Sequence, residues 1–188
     1  MPGALQRPAV LVMAGAAAGS EELDARLGPD RASAVRALLH GRAVAWAQAV
    51  APGAVWTAAA DETPVAAADR ALAEHGGGPL LVAWPDLQRW RPEHASAALE
   101  DLADGCRLAL GPVFDGGFYL LAFAEPLPAV LELAAGPDVI GLAIAAAHEA
   151  QAQAGLLRPE RGLHNSADVA AALADPLLDP ELRTLLTH

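Results

Sequence analysis

The sequence predicts an α/β sandwich of three layers around a mainly parallel central sheet. Short apolar runs of strand length alternate with longer amphipathic stretches of helical composition. The run "PLLVAW" (Pro79 to Trp84) is unbroken by any polar residue, as suits a central strand covered on both faces. Stop and start signals separate the segments, among them Thr63-Pro64 before one helix and Gly76-Gly77-Gly78 after it.

Taken in order, Ala9 to Met13 is the first strand, ending at Ala14-Gly15. The surrounding "RPAVLVMAGAAAG" (Arg7 to Gly19) also has the pattern of a short signal peptide; the strand is preferred because the sheet needs it. Asp24 to Val50 is helical, interrupted near Leu27-Gly28-Pro29-Asp30, with Asp30 as cap of the helix through Val35, Leu38 and Leu39. Ala54 to Ala60 is the second strand. "TPVAAADRALAEH" is a helix with Thr63 as N-cap and Pro64 at its first position. The central strand follows, with Ala9–Met13 and Arg107–Leu110 expected among its neighbours. Pro92 to Ala103 is a helix ended by Gly105. Arg107 to Leu110 and Gly117 to Ala124 are two further strands. Asp138 to Ala154 is a long alanine-rich helix after Pro137, and Ser166 to Ala174 and Asp179 to Leu186 are short closing helices. No repeat or linker interrupts residues 1–188, which are expected to form one domain.

Composition narrows the function. The chain has 188 residues, a formal net charge of −11 and twelve basic side chains, every one an arginine. An acidic chain without a basic block is a poor binder of nucleic acid or anionic membrane. The absence of lysine removes Schiff-base chemistry and a lysine-bearing phosphate loop. The single cysteine, Cys106, forms no internal disulfide and fits a cytoplasmic location. No apolar run reaches the ~18–20 residues that span a bilayer.

The least ordinary stretch is "GPVFDGGFYLLAF" (Gly111 to Phe123), where Asp115 and two glycines stand at the mouth of an apolar strand. Glycine permits positive φ and close approach of backbone to a ligand, so the loop can present a carboxylate beside exposed N–H groups. Asp-Gly is also a common signal for a tight turn between strands. His75-Gly76-Gly77-Gly78 lacks the G-x-S-x-G elbow of an esterase and stands as a helix stop. The histidines are scattered, without the spacing of a zinc site. His164 stands in a loop before Asn165 and Ser166, which can cap the next helix, and is expected to be exposed. Trp84 and Trp90 flank "PDLQR", either as packing residues or as a wall for a base or sugar. In parallel sheets ligands bind beyond the carboxyl ends of the strands, so the loops Ala14–Ser20, Trp84–Arg91 and Val113–Gly117 can share one cleft.

The stretch from Pro79 to Phe123, sharpest at Gly111-Pro112 and Asp115-Gly116-Gly117 with Phe118 and Tyr119, resembles the short bacterial glycosyltransferases of the radical-SAM-associated or arsenosugar-biosynthesis type. These belong to the nucleotide-diphospho-sugar transferase superfamily, with the GT-A fold, and include the guanylyltransferases of deazaflavin-cofactor assembly as relatives. "LGPDRASAVRALL" (Leu27 to Leu39) and "GLHNSADVAAAL" (Gly162 to Leu173) are similar to the family's first helix and closing segment. The resemblance implies that Asp115 binds a hydroxyl or acts as a base. It implies that Gly111, Pro112, Gly116, Gly117 and Tyr119 border the donor–acceptor cleft, and that Gly15, Gly19, Arg26, Trp84 and Asp86 face the nucleotide.

Three departures from the family pattern bear on chemistry. The loop after the first strand, "AGAAAGSEELDARL", keeps Arg26 as its one base and carries Glu21, Glu22 and Asp24. The central strand ends in Ala83-Trp84 where the family has an acidic metal ligand, with Asp86 slightly displaced. Gly162-Leu163-His164 replaces an acidic D-x-D pattern. A diphosphate brings about two to three negative charges that need a cation or positive donors. Weak binding of nucleoside diphosphates and little gain from Mg²⁺ or Mn²⁺ are therefore expected. The reading is a transferase acting on an activated nucleotide and a small acceptor, with Mg²⁺ or Mn²⁺ as the only cofactors that the family suggests. The alternative is a non-catalytic binding protein on the same fold, with a small-molecule ligand, a protein partner or a second copy as its target.

Overall fold

Eight helices and six strands follow one another along residues 7–15, 20–114, 116–133 and 138–187, which the computed structural model describes. The strands are β1 (Ala9–Val12), β2 (Val55–Thr57), β3 (Leu80–Ala83), β4 (Leu108–Pro112), β5 (Phe118–Phe123) and β6 (Ala154–Leu156). The helices are α1 (Ser20–Leu27), α2 (Pro29–Val50), α3 (Pro64–His75), α4 (Pro92–Ala103), α5 (Pro128–Leu131), α6 (Val139–Glu149), α7 (Ser166–Ala174) and α8 (Pro180–Thr187). The strands form one sheet in the order β2-β1-β3-β5-β4-β6, parallel throughout except for β5. No helix among the described residues is long and apolar enough to cross a membrane.

Helices cover both faces, so the central strands are apolar on both sides. In β3, Leu80 and Val82 face a core built with Ala67, Ala68 and Ala71 of α3, Val130 of α5 and Ala143 of α6. Leu81 and Ala83 face the opposite core, with Ala43 and Trp46 of α2 and Ala98 of α4. All four residues are fully buried, as the continuous apolar run predicts. A third cluster lies away from the sheet, where Leu23, Val35, Leu39, Val169 and Leu182 join α1, α2, α7 and α8.

The sheet order corrects one expectation. β3 lies beside β1, as predicted, but its other neighbour is β5 and not β4. β4 and β5 are joined by the short segment 113–117, which suits an antiparallel pair, and all six residues of β5 are buried. The most apolar strand thus takes the central slot and displaces β4 outward. The alanine-rich helix also ends earlier than its composition suggests. Gln151 has φ 53 in the left-handed region, and Ala154–Leu156 then pairs with β4 as β6. Asp30 lies in the first turn of α2 rather than at its cap, which is Gly28 at φ 81 with Pro29 as the first helical residue.

Other boundary signals act as read. The Thr63 hydroxyl accepts a hydrogen bond from the N–H of Ala66 at 3.2 Å, and Gly76 closes α3 at φ 82. Thr63→Ala is expected to destabilise the fold by about 1 kcal/mol, the usual cost of losing such a cap. Urea unfolding measures it, and an unchanged midpoint would show that the hydroxyl contributes nothing.

Candidate functional site

Because β5 alone runs antiparallel, its first residues lie at the same edge of the sheet as the carboxyl ends of the other strands. Met13, Trp84, Val113 and the start of β5 therefore emerge together. At that edge the pairing of β4 with β5 slips: Gly111 faces Leu120 and Pro112 faces Phe118, leaving Tyr119 as the extra residue of a bulge. Bulges re-aim side chains at the rims of sheets. Here Tyr119 joins Leu120 in the core on the α2–α4 side, and its carbonyl accepts the N–H of Trp84 at 3.0 Å. Gly111 makes room for this, because a Cβ there would stand 2.7 Å from the Tyr119 ring.

The turn into β5 explains the paired glycines. Gly116 and Gly117 have φ of 87 and 153, a region that side chains disfavour. Val113 N–H bonds to the Gly117 carbonyl at 3.0 Å, and Gly116 N–H to the Val113 carbonyl at 3.3 Å.

Beyond β6 the chain returns across the same edge. Glu160 bridges to Val113, and Gly162 bridges to Leu87 in the loop after β3. That second bridge brings His164 against Asp86. The His164 Nε2 lies 3.2 Å from the Asp86 Oδ2, and the two residues are 6% and 5% exposed. Gly162 is what lets the ring fit, since a Cβ there would stand 2.5 Å from the His164 Cε1. Asp168, itself buried, fixes the backbone on which His164 rides. Its Oδ2 accepts the N–H groups of His164 and Asn165 at 3.1 and 3.3 Å, while its Oδ1 accepts from Arg161 at 3.1 Å. Asn165 caps α7 in return, accepting from Ala167 and Asp168 N–H. The arrangement is a carboxylate orienting an imidazole, which can hold or accept a proton.

A family model for bacterial proteins, "Uncharacterized protein conserved in bacteria (DUF2064)", matches residues 40–135, from within α2 to just beyond α5. The chain belongs to the DUF2064 family. Among curated proteins no match is found. The fold is also similar to a crystal structure from Desulfovibrio desulfuricans G20, provisionally described as a nucleotide-diphospho-sugar transferase. That likeness has a TM-score of 0.73 at 16% identity and covers 97% of this chain and 94% of the other. The six-stranded, mostly parallel sheet flanked by helices is therefore an architecture that this chain shares with that structure.

In this DUF2064 chain the residues singled out from sequence fall in several places. Asp86, Gly111, Pro112, Gly116 and Gly117 all lie at the carboxyl edge. Trp84 begins there, but its ring is buried in the core beside α3 and α5. Tyr119 is buried on the other face, its hydroxyl donating to the Arg158 carbonyl at 3.3 Å; burial and then the Glu160 carboxylate push its pKa up to about 12. Gly15 is exposed just past β1, and Arg26 is exposed in the last turn of α1. Asp115 and Gly19 lie outside the described residues. Trp90 packs on Trp46, with ring centroids 4.3 Å apart.

His164 corrects the expectation of an exposed loop histidine: the bridge at Gly162 draws it inward onto Asp86. Asp168 was missed altogether, although the Asn165-x-x-Asp168 capping spacing was a signal for it. As for a metal, no group of three or more His, Cys, Asp or Glu side chains is arranged to hold one among the described residues. Asp86 and His164 together bring one carboxylate and one imidazole, where Mg²⁺ prefers oxygen donors.

Gly162→Ala is expected to push the His164 ring off Asp86 and to destabilise the protein by about 1–3 kcal/mol, as overpacking does. In a His164→Ala background the same substitution should cost much less, because the ring it strikes is gone. An equal cost in both backgrounds, measured by urea unfolding, would show that the clash lies elsewhere.

Proposed function

We propose that this chain is a transferase that moves a glycosyl or nucleotidyl group from an activated nucleotide to a small acceptor. The observation that carries this is the buried Asp86–His164 pair at the carboxyl edge of the sheet, where α/β folds of this kind take their ligands. His164 is the proton-handling group and Asp86 the residue that positions it. Asp115 is the acceptor-facing carboxylate, a role that rests on the sequence resemblance. The radical-SAM-associated and arsenosugar types remain the nearest family guide to the acceptor.

One observation favours the second reading, a binding protein that does not turn its ligand over. α1 begins with Glu21 and Glu22, both exposed, where nucleotide phosphates would need positive charge. Asp24 does not add to that repulsion, because Arg36 neutralises it at 2.7 Å.

Titration calorimetry with UDP-sugars and with GTP, each with and without Mg²⁺ or Mn²⁺, tests the proposal. Binding is expected to be weak, little changed by the metal, and lost in His164→Ala. A bound nucleotide that is consumed when acceptors are added supports transfer, and one that is bound but never consumed supports the second reading. No binding of any nucleotide at millimolar concentration would overturn the transferase reading and favour the second.

A further inference from the structure

On the α4 side of the sheet lies a cavity of about 370 Å³. It is lined by Arg91, His94, Ala97, Tyr119, Arg158 and Glu160, with Glu93 and Leu157 completing the wall. The size lies at the lower end of small-molecule sites, roughly 300–1,000 Å³.

His94 is the decisive residue. Its side chain is 7% exposed, and its Nδ1 accepts the N–H of Arg91 at 3.4 Å. Burial, opposed by the Glu160 carboxylate, holds its pKa below the usual histidine value and so favours the neutral ring. With Nδ1 accepting, the proton sits on Nε2. That N–H is buried, and its contact with the nearest acceptor is too long to satisfy it fully. The Glu160 Oε1 is 3.5 Å away, and its side chain is 22% exposed. An ill-made hydrogen bond on a buried donor is costly, so a site that leaves one is poised for a ligand.

The neighbouring charges restrict what that ligand is. A group placed here must accept from the His94 N–H and donate to the Glu160 carboxylate. A hydroxyl does both; an ionised carboxylate offers no proton, and a phosphate or a carboxylate meets the Glu160 charge. The lining charges balance, Arg91 and Arg158 against Glu93 and Glu160, so no net field selects an ion. The geometry points to a second small-molecule site between α4 and residues 157–160, taking a neutral polyhydroxylated ligand of about monosaccharide size, with one hydroxyl bridging His94 and Glu160.

The site is independent of the nucleotide reading above. It is tested by saturation-transfer NMR with glucose, galactose, N-acetylglucosamine, myo-inositol and glycerol, with glucose 6-phosphate as the anionic control. At least one neutral polyol is expected to bind more tightly than the phosphate. Glu160→Gln keeps the side-chain shape and should weaken binding roughly tenfold, the scale of one lost charged hydrogen bond. His94→Leu should do the same. Ala97→Trp, an exposed change at the mouth, should block the cavity without touching either group, and an unchanged unfolding midpoint shows that each variant is folded. Binding of no polyol, binding indifferent to all three substitutions, or tighter binding of the phosphate would each overturn the proposal.

Discussion

A carboxylate and an imidazole 3.2 Å apart, both almost wholly buried, join two stretches of chain that are far apart in sequence. One is the loop after β3; the other is the segment that leads into α7. Burying such groups is costly unless each is satisfied, so the surroundings must hold them in register. Gly162 supplies the space, the Leu87–Gly162 bridge supplies the alignment, and Asp168 supplies the backbone anchor. The α1–α2–α7–α8 cluster then packs Leu163 and Val169, on either side of this anchor, into its core. The carboxyl edge of the sheet is in this sense closed by a polar contact laid over an apolar base.

The antiparallel β5 is the second constraint. Placing it between β3 and β4 brings its amino end to the carboxyl edge, and the bulge at Tyr119 sets which face each aromatic serves. Phe118 faces the α3–α5–α6 core, and Tyr119 faces the α2–α4 core. The same bulge therefore shapes the rim through the Trp84–Tyr119 hydrogen bond and lines the His94 cavity with the tyrosine ring. Residues 157–164 run past both regions.

The layers, most helix ends and the central strand were legible because each follows from a local signal: the apolar run at 79–84, the Thr63 cap, the Gly76 stop and the Pro92 start. The position of β5 was less so, since strand order depends on which strand gains most from double cover, a comparison across the chain. β6 was hidden in alanine-rich sequence, whose helix propensity says nothing of the turn at Gln151. Within the site, Asp86 and the paired glycines could be named from their loops. His164 could not be placed, because its burial depends on a bridge between Leu87 and Gly162, 75 residues apart by their numbering. The stretch 162–164, which lacks the acidic D-x-D pattern, supplies His164 and, at Gly162, the room for its ring.

The central claim is that Asp86 and His164 act as a unit. A double-mutant cycle with Asp86→Ala, His164→Ala and the combination, read by urea unfolding, tests it most directly. The account predicts a coupling of at least about 1 kcal/mol, with the second substitution costing little once the first is made. Additive costs would show that the two residues merely lie near each other, and would remove the physical basis of the site.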